Sequence, residues 1–285
     1  MTAAFYGIVQ SRRNIGCATF FVSCILIPMP HRVLCVTAHP DDEAGNFGGT
    51  LAKLAAGGAR IHLICLTGGE AARNRGEARS SQELIQLRTA ELAAACRILD
   101  IHHHEVWDLP DAGLKRANFY VIASRLALGI RHLRPHVLFT FGPEGSLTAH
   151  PDHAMAGLLA TAAFHWAGST RYLAEDTDAN QANASQPPPP YACPRLFHAT
   201  GLQSPPGLPV VLPGPPDLIC DVRPYIERKR TAFHCHQTQA PLFPRVDAYL
   251  AGGNGYEFFH LAAAPLGFDR RRLESGDPFA GLTAD

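Results

Sequence analysis

The sequence predicts an α/β fold, a Rossmann-like doubly wound domain with a mostly parallel sheet and a C-terminal extension. Three observations lead to this prediction. Short apolar runs rich in β-branched residues occur at 32–36, 60–67 and 136–141, and such runs form strands buried on both faces of a parallel sheet. Segments with apolar residues at helical spacing lie between them, which gives repeated β-α-β units. The chain has 285 residues, enough for one such domain with a complete core.

The first predicted strand ends in a His-Pro-Asp-Asp-Glu sequence at residues 39–43, and residues 46–56 have the composition of a helix. In open α/β sheets, ligands bind at the carboxyl ends of the strands. Three carboxylates beside an imidazole repel one another, so this cluster predicts a divalent cation. Zinc accepts both histidine nitrogen and carboxylate oxygen. The alternative is an acidic first turn of a helix, which the helix dipole favours.

The next segments supply another strand and two helices. Residues 60–67 form the second strand and close a β-α-β unit without the G-x-G-x-x-G spacing of dinucleotide-binding proteins. Apolar residues at helical spacing predict helices at 81–99 and 117–133. The three histidines at 102–104 are expected in an exposed loop, because adjacent side chains of an extended chain point to opposite faces and do not bind one ion together.

A second motif, His-Pro-Asp-His at residues 150–153, follows the strand at 136–141 and precedes a helix predicted at 154–166. Its position repeats that of the first motif, since both come after the carboxyl end of a buried strand. Beyond it, apolar runs predict further strands at 196–198 and 218–222. Two clusters of histidine and aspartate at two strand ends indicate one shared site.

Together, the two motifs resemble those of the LmbE-like/PIG-L family of zinc-dependent N-acetylglucosaminyl de-N-acetylases, and the resemblance extends over about residues 32–239. It implies the fold predicted above. It also implies a hydrolase that removes an N-acetyl group from an N-acetylglucosaminyl conjugate with a metal-activated water. By the same resemblance, His39, Asp42 and His153 are the ligands of Zn²⁺ and Asp41 is the general base.

The resemblance extends to five supporting residues. His150 is implied as a protonated histidine that stabilises the oxyanion, and Asp152 as the carboxylate that orients it or raises its pKa. Arg88 and Asp111 are implied as substrate contacts, and His236 as a substrate contact or as a residue that supports the site without touching substrate. The last three residues also have ordinary structural interpretations. Arg88 suits a surface pair on its helix, Asp111 a turn, and His236 a buried structural histidine.

Two features leave the substrate and the activity open. Thr148 stands where relatives that act on thiol-cofactor precursors can carry a tyrosine. The same ligand set also suits a zinc amidohydrolase that acts on another acyl amide. A non-catalytic, metal-binding Rossmann-like protein is the third alternative. It would fill all four zinc positions with protein ligands, whereas a catalytic site leaves one for water.

The composition narrows the range of partners and locations. Lys and Arg together number 25, as do Asp and Glu, so the formal net charge is zero and nothing favours nucleic acid or an anionic membrane surface. A small glycoconjugate substrate is expected, without membrane association, and a homo-oligomer stays open. The eight cysteines include no C-x-x-C pair and lie mostly in apolar runs, which predicts reduced thiols and a cytoplasmic location.

The N-terminus and one insertion stand apart from the predicted core. Residues 1–28 carry an apolar run after two arginines, and the alternatives are a mis-called start before Met29, a signal or anchor, or a packed element. Residues 29–285 form a single predicted domain. Within it, the Pro-rich stretch at about 174–192 is expected as an exposed loop and Tyr256–His260 as an edge strand.

Overall fold

A computed structural model describes residues 30–170, 188–201 and 214–283 of the chain. The predicted extension at 1–28 and residues 174–187 of the predicted Pro-rich loop lie outside the described residues. None of the helices in the described part of the chain combines the length and the apolar composition that crossing a bilayer requires.

The described residues form one sheet of seven strands. The strands are β1 (Arg32–Thr37), β2 (Arg60–Thr67), β3 (His103–Leu109), β4 (Val137–Phe141), β5 (Arg195–Thr200), β6 (Leu218–Asp221) and β7 (Tyr256–Ala263). Their spatial order is β3-β2-β1-β4-β5-β7-β6. The strands from β3 to β5 in this order are parallel, and β7 runs antiparallel to both β5 and β6. The predicted Rossmann-like, mostly parallel sheet is therefore confirmed.

The helices flank this sheet in two groups. They are α1 (Asp42–Asn46), α2 (Gly48–Ala56), α3 (Ser81–Leu99), α4 (Phe119–Leu133), α5 (Pro151–Ala167), α6 (Ile226–His234) and α7 (Phe243–Ala251). Helices α4 and α5 contact each other, and α6 contacts both α2 and α3. Ser80 caps α3 by accepting the N–H of Glu83, and Asn118 caps α4 in the same way. The helix starts therefore follow from local sequence.

The chain changes its direction of winding between β1 and β4. Strands β2 and β3 follow β1 on one side, whereas β4 and β5 lie on the other. β1 and β4 pair in parallel, with Val33 opposite Val137, so their carboxyl ends lie side by side. Both strands are almost wholly buried, which explains their continuous apolar sequence. Ligands of α/β sheets bind at such a switch point, and both motifs begin there.

Two local predictions are wrong. Tyr256–His260 lies in β7, which is not an edge strand because it bonds to β5 on one side and to β6 on the other. The edge on this side of the sheet is β6. The side chains of Glu257 and Phe259 are buried on one face of β7. His103 and His104 are not in a loop. They begin β3, the strand at the opposite edge, because β2 supplies a pairing partner for each of them.

Candidate metal centre

The turn after β1 folds the Asp42 side chain back onto the end of the strand. Asp42 Oδ2 accepts the backbone N–H of Ala38 at 3.1 Å and that of His39 at 2.9 Å. Asp42 is 4% exposed and is the first residue of α1. Because two backbone donors hold Oδ2, the carboxylate has one orientation, and its Oδ1 faces the second motif.

The structure brings the three predicted zinc ligands together. Asp42 Oδ1 lies 2.9 Å from His153 Nε2, and His39 Nδ1 lies 3.6 Å from Asp42 Oδ2. His153 reaches this point from the first turn of α5. Its ring stacks on Phe141 at the end of β4, with centroids 4.1 Å apart, and its Nδ1 lies 3.1 Å from Thr148 Oγ1. Phe141 and Thr148 therefore fix the orientation of the ring.

His39 also contacts carboxylates from two other segments. Its Nε2 lies 3.1 Å from Asp111 Oδ1, in the loop after β3, and 3.6 Å from Asp152 Oδ2, in α5. In the described part of the chain, two groups of side chains place ligand atoms within 4.8 Å of one another: His39 with His150 and His153, and His39 with Asp111 and Asp152. Sequence reasoning did not place Asp111 beside the predicted ligands. Its position after the carboxyl end of a strand was the available signal.

This set of donors fits a divalent cation. His39 Nε2 and Asp152 Oδ2 are buried and make no hydrogen bond of good geometry, although carboxylate oxygens lie 3.1 and 3.6 Å from His39 Nε2; such atoms are uncommon in protein interiors. Burial alone would lower the pKa of His39, but contacts with Asp111, Asp152 and Asp42 outweigh burial and hold the pKa well above its usual range. The carboxylates that raise the pKa of His39 are groups that a bound cation would also satisfy. Histidine with carboxylates is a ligand set for zinc and related metals.

Asp41 directly precedes Asp42 but has different contacts. Its side chain is 20% exposed, and its Oδ2 accepts a hydrogen bond from Arg88 Nη2 at 2.8 Å. Burial raises the pKa of Asp41, and the Arg88 guanidinium opposes part of that rise. A carboxylate with a raised pKa and some access to solvent is suited to accept a proton from water.

His150 caps α5 with its own ring. Its Nδ1 accepts the backbone N–H of Asp152 at 3.2 Å, so the proton of the neutral ring is on Nε2. Burial, and then the charges of His39 and His153, lower the pKa of His150. The lowered pKa favours a neutral His150, whereas the protonated form that the resemblance implies stays a prediction. Asp152 orients His150 through its backbone N–H, while its carboxylate lies beside His39.

Two predicted substrate contacts are buried supports. Arg88 is 3% exposed and donates to the Asp41 carboxylate and to backbone carbonyls in the loops after β1 and β2. His236 has no exposed surface, and its Nε2 donates to Glu43 Oε1 at 2.7 Å. The complete burial of the His236 side chain favours the supporting role expected for it over a direct contact with substrate. A substrate contact of Arg88 stays a prediction. Sequence reasoning gave Glu43 no role, and its place as the last acid of the first motif was the only signal.

Known proteins are similar to this chain in sequence. The family model "PIG-L: GlcNAc-PI de-N-acetylase" matches residues 34–164, which include both motifs. The 1D-myo-inositol 2-acetamido-2-deoxy-alpha-D-glucopyranoside deacetylase of Rhodococcus jostii (strain RHA1) is 31% identical over 260 residues, covering 76% of this chain and 85% of that protein. The chain belongs to the PIG-L family.

Solved structures share the fold of this PIG-L protein. The conserved protein TT1542 of Thermus thermophilus matches with a TM-score of 0.60 and 27% identity, over 83% of this chain and 95% of that one. The N,N'-diacetylchitobiose deacetylase of Pyrococcus horikoshii matches with a TM-score of 0.61 and 21% identity, over 83% and 87%. Family membership confirms the predicted enzyme class, a hydrolytic deacetylase, and sets aside the non-catalytic alternative.

Proposed function

We propose that this PIG-L deacetylase hydrolyses the acetamide of an N-acetylglucosaminyl conjugate, with Zn²⁺ held by His39, Asp42 and His153. One observation carries the proposal. The 2.9 Å contact between Asp42 Oδ1 and His153 Nε2 joins the two motifs at one point, beside His39, whose Nε2 faces the Asp111 and Asp152 carboxylates. The R. jostii relative, by its name, deacetylates a 2-acetamido-2-deoxy-glucopyranoside of inositol, which supports this class of substrate.

The protein's own residues move the protons of the reaction. A cation in this site supplies positive charge, which polarises the amide carbonyl and lowers the pKa of a water from about 15.7 to about 7. Asp41, partly exposed and outside the ligand cluster, accepts the proton of the attacking water. Arg88 keeps that carboxylate in place. Asp41 then returns the proton to the amine nitrogen as the C–N bond breaks, so acetic acid and the free amine leave. The acid then gives its remaining proton to the more basic amine, which yields acetate and an ammonium group.

His150 and Asp111 complete the proposed site. The Nε2–H of neutral His150 donates to the oxyanion that forms on the amide oxygen, and this donor requires no extra proton at neutral pH. Asp111 stays the proposed contact for a substrate hydroxyl. Its Oδ2 accepts the backbone N–H of Ala71 at 2.8 Å, and this bond holds the carboxylate in place in the loop after β3.

Acetate release provides the test. The purified protein is stripped with a chelator, reloaded with Zn²⁺ or with Co²⁺, and offered N-acetylglucosaminyl inositol, N,N'-diacetylchitobiose and the matching N-butyryl compounds. We expect acetate from at least one N-acetylglucosaminyl conjugate, loss of activity after stripping and recovery with Zn²⁺. Asp41→Asn is the matched inactive control. Release of other acyl groups alone would favour the amidohydrolase alternative, and release from none would refute the proposal.

We further propose a single domain over residues 29–285 and a cytoplasmic location. The cysteines at described positions are all free thiols, five of them buried, as expected in a reducing compartment. The proposed partner is the glycoconjugate substrate, and a homo-oligomer stays open.

A further inference from the structure

The backbone of Asp41 has a conformation that residues with a β-carbon rarely adopt. Its φ is 117° and its ψ is −23°, in the left-handed region that favours glycine. Asp41 stands where the chain leaves β1 and enters α1, directly before Asp42. Such a conformation persists only where the surrounding structure imposes it, and these residues cluster at functional sites.

Contacts from two distant parts of the chain hold this turn. The backbone N–H of Asp41 donates to Glu43 Oε2 at 3.0 Å. The other oxygen of Glu43 accepts from His236 Nε2 at 2.7 Å, and both of these side chains are completely buried. Arg88, in α3, donates to the carbonyl of Pro40 and to Asp41 Oδ2. The strained residue is therefore bound through both its backbone and its side chain.

We infer that Glu43 and His236 are a positioning pair, which keeps the backbone of Asp41 left-handed and thereby directs two adjacent carboxylates to different places. The inference rests on the proposed function for the roles of Asp41 and Asp42. With the turn closed, Asp42 bonds back to the end of β1 and reaches His153, while Asp41 points to Arg88.

A role in packing alone does not explain this pair. A buried carboxylate with a buried histidine carries a large desolvation penalty, and apolar residues of similar volume stabilise a core equally well or better. Glu43 instead uses its second oxygen on the N–H of Asp41, the one residue of the first motif that has a left-handed backbone. If that bond is lost, the turn can open into an ordinary backbone conformation, and Asp42 then leaves its place beside His153.

Zinc affinity in the absence of substrate tests this inference, by competition with a chromophoric chelator. Glu43→Ala should weaken Zn²⁺ binding by about 10–100-fold, the range typical for loss of a residue that orients a ligand. In an Asp41→Gly background the same change should have an effect of less than about threefold, because glycine adopts this φ without strain. Glu43→Gln keeps an acceptor for the Asp41 N–H and is the matched control. Equal losses in both backgrounds would overturn the inference.

Amide hydrogen exchange gives a second measurement, which requires neither metal nor activity. In the metal-free protein, the peptide at 38–46 should exchange faster in Glu43→Ala and at the wild-type rate in Glu43→Gln. Should Glu43→Ala not fold, His236→Asn tests the same bond from its other end. Unchanged exchange would overturn the inference whatever the enzyme does. Faster exchange in a protein that deacetylates none of the substrates would refute the proposed function and leave the positioning pair intact.

Discussion

Asp41 and Asp42 are chemically identical neighbours in different surroundings, so replacing each with asparagine gives a matched pair of variants. Asparagine keeps the size of the side chain and one acceptor oxygen, but it loses the negative charge and does not accept a proton near neutral pH. If Asp41 is the general base and Asp42 a metal ligand, the two variants fail in different ways.

Asp41→Asn should keep its zinc and lose its turnover. The Asp41 carboxylate is partly exposed and contacts Arg88 instead of the histidines, so its amide leaves the ligand cluster unchanged. Loss of a general base lowers kcat by about 10²–10⁴-fold, or about 3–5 kcal/mol in activation free energy.

Asp42→Asn should lose zinc and some stability. Asp42 accepts two backbone N–H groups and lies beside His153. Because a charged acceptor roughly doubles the strength of such bonds, neutralising it removes about 1 kcal/mol from each, or about 2 kcal/mol in all. That corresponds to a Tm about 4–8 °C lower. Zinc affinity should fall by more than the roughly 100-fold that marks the loss of a supporting contact.

The assay combines metal content of the purified proteins, by mass spectrometry, with steady-state kinetics at several concentrations of added Zn²⁺. Added zinc should restore part of the activity of Asp42→Asn and none of that of Asp41→Asn. If Asp41→Asn loses its zinc while Asp42→Asn retains it, the base and the ligand are exchanged. A fully active Asp41→Asn would refute the hydrolytic mechanism.

Three further predictions follow from individual contacts. Thr148→Val removes the acceptor beside His153 Nδ1 and should weaken Zn²⁺ binding by about 10–100-fold in chelator competition, whereas Thr148→Ser should not. Arg88→Met removes the charge that lowers the pKa of Asp41, so kcat should fall and the acid limb of its pH profile should move to higher pH; an increase in KM alone would instead support a substrate contact. Burial, and then the charge of His260, lower the pKa of His198 to about 4, so the unfolded chain binds a proton below about pH 6.5 that the folded chain does not. Urea unfolding should therefore show stability falling between pH 6.5 and pH 4 by up to about 3 kcal/mol more in wild type than in His198→Gln, and equal slopes would contradict the assignment.

The sequence predicts those parts of the site that depend on residues close together along the chain. The first motif follows directly on a buried strand, and the second follows a buried strand after the loop at 142–149. Because parallel strands share one carboxyl edge, the sequence predicts that His39 and His153 lie close together. The order of the strands beyond β5 does not follow from the sequence. The alternation in β7 indicates a strand with one buried face, but it does not tell which strands lie beside it. Glu257 is buried there because Lys229 and the first turn of α2 bind it.

Contacts between remote residues explain the remaining differences. Glu43 and His236 are 193 positions apart, and a single sequence holds no record of their contact. Arg88 matches a surface pair on α3 by its spacing, yet its guanidinium is buried by the loops that carry the first motif. Arg88 lies on the buried face of α3, four residues from both Leu84 and Leu92, so helical periodicity indicates that it faces the protein but not which groups it binds.

The same contacts explain how one motif supplies two functions. Burial raises the pKa of Asp41, whereas the histidines outweigh burial at Asp42 and hold its pKa well below the usual range. Two carboxylates whose pKa values are driven apart take different tasks, since the more basic one accepts protons and the more acidic one stays charged beside a cation. Both environments depend on the left-handed turn at Asp41, because an ordinary backbone there would point both side chains elsewhere. The buried supports of that turn therefore act on the proposed chemistry through the ligand and the base that they position.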